Sequence, residues 1–115
     1  MQQRSQRATL TYYPTVRNLV DGNTLGFLID LSPTGMKVMS EKPIEIEKYY
    51  RLGIEVQSEN AAPRELAVEA KAMWSGRDIN PDFIDTGFAF RNLTTASGKI
   101  IVRLMNEYQF SGQSL

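Results

Sequence analysis

Residues 25–39 read Leu-Gly-Phe-Leu-Ile-Asp-Leu-Ser-Pro-Thr-Gly-Met-Lys-Val-Met. Apolar side chains at Leu25, Phe27, Ile29 and Leu31 recur at every second position, the period of a strand with one buried face. Ser32-Pro33-Thr34-Gly35 suits a tight turn, and Met36 to Met39 supply a short return strand. The stretch is a hairpin, and its neighbours decide what it belongs to.

Upstream, Ala8, Leu10, Tyr12, Pro14 and Val16 alternate with Thr9, Thr11, Tyr13 and Thr15, and Asp21-Gly22-Asn23 turns the chain into Leu25. Downstream, Tyr50 to Val56 alternates through Leu52 and Ile54, and the polar, proline-containing run 58–64 reads as a loop. Leu66, Val68, Ala70, Ala72 and Trp74 share one face of a long strand. Gly76 to Pro81 then reverses the chain into Ile84, Thr86, Phe88 and Phe90. The period then changes. Ile100, Ile101, Leu104, Met105 and Tyr108 lie on one helical stripe, with Thr94, Thr95 or Ser97 as N-cap and Gly112 as a stop. These elements predict a mainly β fold: a six-stranded antiparallel β-barrel with a C-terminal α-helix over about residues 95–110 that closes or plugs it.

Bulk properties narrow the function classes. With 115 residues, 42% of them apolar and 23% charged, the chain is sized for one globular core. Thirteen basic and thirteen acidic residues give zero net charge, which argues against a nucleic-acid-binding footprint. The charge is uneven, because Arg4, Arg7 and Arg17 face no acid between Met1 and Val20. Residues 1–7 therefore read as a flexible basic arm and 8–115 as the folded domain, a layout suited to a small anionic ligand. No histidine and no cysteine are present, which removes the commonest general base, the thiol nucleophile and the usual metal ligands. Asp78, Asp82 and Asp85 read as solvated turn acids. No catalytic residue and no metal site is expected. The polar start and the lack of any apolar run near the roughly 20 residues that span a bilayer predict a cytoplasmic chain without membrane insertion.

The segment that carries chemistry is Asp30-Leu31-Ser32-Pro33-Thr34-Gly35, a D-x-S-x-x-G motif. An arginine-bearing arm (Arg4, Arg7) precedes the first strand, and Trp74 sits in a later strand followed by Gly87-Phe88-Ala89-Phe90. In this order the chain resembles the PilZ family, which has an R-x-x-x-R arm, [D/N]-x-S-x-x-G after strand two, a Trp-bearing strand and a G-x-x-F strand. The resemblance implies a bacterial receptor for the second messenger cyclic di-GMP. On that reading Arg4 and Arg7 pair with phosphate and with guanine O6 and N7 through the planar guanidinium fork. Asp30 accepts from a guanine N1–H or amino group, Ser32 adds a hydroxyl, and Gly35 permits a left-handed turn with close ligand approach.

One position departs from the pattern. With Arg7 as the second arginine of R-x-x-x-R, the first falls on Gln3, and Arg4 stands one place later. Gln3 hydrogen-bonds a guanine edge without charge, a loss of about 1 kcal/mol against a charge-assisted bond. Trp74 reads as core or barrel wall, with stacking on the ligand as its second role. Arg77 is within reach of a phosphate or is a plain surface charge, and Lys37 carries no special signal. Within these residues there is no output domain, so the implied signal passes to an effector protein, or through a change of homo-oligomer, in motility, pilus or biofilm control. Two other readings stand beside it. One is a degenerate PilZ domain acting through protein contacts alone, the other an oligonucleotide-binding barrel using Tyr12 and Tyr13 as a stacking platform.

Overall fold

The computed structural model describes residues 13–56 and 64–108. The arm residues Gln3, Arg4 and Arg7, the start of the predicted first strand, nearly all of the 58–64 loop and Gly112 lie outside the described residues. The elements are β1 (Thr15–Asn18), β2 (Thr24–Leu31), β3 (Gly35–Ser40), β4 (Lys48–Val56), β5 (Arg64–Arg77), β6 (Ile84–Arg91) and α1 (Thr95–Glu107). The strands close into a barrel in the order β1-β2-β3-β6-β5-β4, every pair antiparallel. Among the described residues closure leaves no free sheet edge to recruit another strand.

Alternation fills the interior. Leu52, Ile54 and Val56 on β4 and Leu66, Val68, Ala70 and Ala72 on β5 point inward as their period requires, joined by Val16, Val38 and Phe88. Each large aliphatic side chain buried this way contributes about 1.5–3 kcal/mol. The helix plugs the barrel with Ile101 and Leu104, both fully buried, while Ile100, Met105 and Tyr108 flank them. Its start is set by Thr94, whose Oγ1 accepts the Ser97 amide at 3.0 Å. Among the described residues no helix is long and apolar enough to cross a membrane.

Two bulges overturn the expected faces. The register shifts between Leu28 and Asp30, so Leu28 (0% exposed) and Leu31 (3%) enter the core, whereas Phe27 is exposed and Leu25 and Ile29 are half-buried. Phe27-Leu28-Ile29 is apolar at both parities, so period two alone does not choose between them. A second shift between Ala72 and Trp74 turns the Trp74 indole out of the core, to 48% exposure on the outer wall. An extra residue in one strand reverses the face of every residue after it.

Candidate functional site

The bulge at Ile29 places Asp30 on the outer face, opposite Lys37 in the β2–β3 register. The turn after it is tightly knit. The Ser32 amide donates to the Gly35 carbonyl (2.9 Å), and the Ser32 Oγ accepts from the amides of Gly35 (3.1 Å) and Thr34 (3.3 Å). The Phe90 amide donates to the Thr34 carbonyl at 2.9 Å and ties the turn to β6. Asp30 Oδ1 accepts the next amide, that of Leu31, at 3.0 Å, and among the described residues Oδ2 has no partner.

Gly35 is required for a different reason from the expected one. The glycine with positive φ among the described residues is Gly22, not Gly35. A Cβ at Gly35 would instead run into the Phe88 carbonyl, so glycine there lets β3 and the turn lie close on β6. Gly87 serves the same purpose on the next strand. A Cβ there would collide with the Trp74 indole.

The turn, the start of β3, the β5 bulge and the middle of β6 enclose an outer-face cavity of ≈ 420 Å³. Asp30, Ser32, Gly35 and Trp74 all line it, so four residues singled out from sequence converge on one place. Arg77 does not line it and ends β5 opposite Ile84. Lys37, Met73 and Ala89 are lining residues that sequence reading passed over. The signal for Lys37 was available, since it alternates outward between buried Met36 and Val38. Asp30 and Lys37 are the two charged residues in the lining, so the described wall is balanced rather than basic.

Beside the cavity, beyond Lys37, lies an acid that was expected to be solvated. Asp85 is only 9% exposed, and among the described residues its Oδ1 has no hydrogen-bond partner. Burial first, and then the neighbouring Asp78 carboxylate, push its pKa up to about 6, while the Lys37 ammonium pulls the other way. Asp82, by contrast, is exposed as expected.

The PilZ domain family model matches residues 2–107 of the 115. The chain belongs to the PilZ domain family. Two solved structures share this PilZ barrel. The PilZ domain of YcgR from Escherichia coli with c-di-GMP superposes with a TM-score of 0.60 at 21% identity, covering 84% of this chain and 82% of that one. The Bacillus subtilis inhibitor of motility, MotI/DgrA, gives a TM-score of 0.69 at 12% identity over 84% of this chain. The match spans 46% of that longer chain. At these identities the likeness is one of fold. No curated protein sequence matches this PilZ chain.

Proposed function

We propose that this PilZ chain is a cyclic di-GMP receptor that relays ligand binding to an effector protein. The observation that supports it most is the convergence of Asp30, the Ser32–Gly35 turn and Trp74 on one cavity, in the family to which the c-di-GMP-bound YcgR domain belongs. On this reading Asp30 Oδ2, unpartnered among the described residues, accepts from a guanine Watson–Crick edge. Trp74 offers an aromatic face to a base. The ligand's phosphates need more positive charge than Lys37 alone supplies, and Arg4 and Arg7 of the 1–7 arm provide it. Ser32 acts mainly by holding the turn, since its hydroxyl is already occupied. Gly35 keeps the turn on β6. The reading assigns no catalytic step to the chain.

Gln3 favours a second reading, in which the arm has lost nucleotide binding and the domain works by protein contact alone. Isothermal titration with cyclic di-GMP at two salt concentrations separates the two. The receptor reading expects saturable, salt-sensitive binding that weakens at least roughly tenfold in Arg7→Ala and in Asp30→Ala. A flat titration on folded protein selects the nucleotide-independent adaptor.

A further inference from the structure

A second and larger cleft, of ≈ 580 Å³, opens on the outer face beyond the candidate site. Its floor is a row of three residues in register across β4, β5 and β6, namely Arg51, Glu69 and Arg91. The adjacent row is Tyr49, Lys71 and Ala89. Ala89 also lines the first cavity, so one continuous strip of sheet joins the two.

The chemistry of this cleft is unlike that of the first. Lys48, Arg51 and Arg91 line it against the single acid Glu69, whose Oε1 is engaged by Asn92 Nδ2 at 3.3 Å. Neither Arg51 nor Arg91 has a carboxylate within ion-pair distance among the described residues. Tyr49 is 62% exposed, with the Lys71 ammonium 5.5 Å and the Arg91 guanidinium 5.7 Å from its ring centre. Val20, at 80% exposure, forms an apolar rim. The amino end of α1, with no acid in its first turn, adds its positive pole beside Arg51 and Arg91.

We propose that this cleft docks an acidic segment of a partner protein, its carboxylates on Arg51 and Arg91 and an apolar side chain against Tyr49 and Val20. Arginine meets carboxylates bidentately, and exposed Tyr and Arg are the residue types that dominate protein interfaces. The occupant is not supplied by this chain's undescribed segments, whose one acid is Glu59. A second copy offers a tip in Asp78, fully exposed Ile79 and Asp82, but Asp78 already accepts the Asn80 amide and faces Asp85, which leaves one carboxylate, Asp82, for two arginines. The inference stands on this cleft and not on nucleotide binding. Through Ala89 and Lys71, however, it gives an occupied first cavity a direct route to the partner.

The test is NMR titration of the ¹⁵N-labelled full chain with a short synthetic peptide in which glutamate pairs alternate with single leucines. The matched glutamine peptide is the control. We expect saturable shifts in the amides of residues 48–51 and 91–92, weakened by salt and by at least about tenfold in Arg51→Glu and Arg91→Glu. Both arginines are exposed but sit opposite Glu69, so Arg51→Gln and Arg91→Gln, which add no like charge and leave thermal unfolding unchanged, separate lost binding from lost fold. Arg91→Glu also leaves the cyclic di-GMP titration intact, which keeps failure here distinct from failure of the receptor reading. Equal binding of the glutamine peptide, no binding at millimolar peptide, or shifts centred on Lys37 and Trp74 would each overturn the proposal. So would self-association abolished by Asp82→Lys, which assigns the cleft to a second copy, or tighter competition by single-stranded DNA, which assigns it to nucleic acid.

Discussion

The β2–β3 and β5–β6 connections are built from the same kinds of residue, Asp with Ser or Asn and Pro, yet they end in opposite electrostatic states. In the first, the Ser32 hydroxyl absorbs two amides and Asp30 Oδ1 takes the Leu31 amide, with Lys37 opposite. In the second, Asp78 and Asn80 also cap their own turn, through the Asn80 and Asp82 amides. Asp85, at the end of that connection, is nevertheless buried next to Asp78 with an oxygen unpaired. Turn chemistry satisfies the loop in both cases. What differs is the strand residue beside it, and there a buried carboxylate whose Oδ1 lacks a donor, set against a second carboxylate, is energetically unfavourable when charged. Carboxylates perturbed in this way cluster at functional sites, and Asp85 sits two residues along β6 from the candidate cavity's Gly87.

Breaking the well-satisfied turn gives the largest effect. Gly35→Ala forces a Cβ into the Phe88 carbonyl, which is backbone and has nowhere to retreat. The variant should lose about 3 kcal/mol, the upper end of overpacking costs, seen as a lower urea midpoint with unchanged slope. An unchanged midpoint would mean that β3 and β6 are not held as close as the geometry requires.

Removing the strained acid works in the opposite direction. The folded-state pKa of Asp85 is raised above its unfolded value, so the folded protein binds more protons between about pH 4 and 6. Stability linked to this group is therefore highest below pH 4 and falls as pH rises to about 6. Asp85→Asn should flatten that decline and stabilise the protein at pH 7 by on the order of 2 kcal/mol. Urea unfolding at pH 4, 5, 6 and 7 reads both effects. A variant less stable at pH 7, or a wild type whose stability rises through this window, would show that Asp85 is paired after all.

The contrast also marks where sequence stops being sufficient. The succession of six strands along the chain, the helix with its Thr94 cap and the grouping of Asp30 with Ser32 and Gly35 follow from local patterns, because alternation and turn preference are properties of neighbouring residues. The bulges at Ile29 and Met73 depend on which strand lies alongside, and they alone decide that Leu28 goes in and Trp74 comes out. The burial of Asp85 depends on the β5–β6 turn covering one outward position of β6. Lys37 and Arg91 look like ordinary surface charges until the register places them in a cavity and a cleft. What the sequence leaves undecided is what strand pairing brings together.

Ser32→Ala makes the first connection resemble the second, since it withdraws the acceptor from two turn amides. Both lie near the surface, where water replaces part of the lost bonding, so the expected cost is only about 1 kcal/mol. Ser32→Thr keeps the hydroxyl and should recover most of it. The pair of variants separates two roles that a lone alanine change confuses. If the hydroxyl only holds the turn, Ser32→Ala lowers stability and reduces cyclic di-GMP affinity modestly, while Ser32→Thr restores both together. If it bonds the ligand directly, the bulkier threonine side chain restores stability in urea but leaves the affinity measured by titration depressed. Observing that split would move Ser32 from the frame of the site to its contact surface.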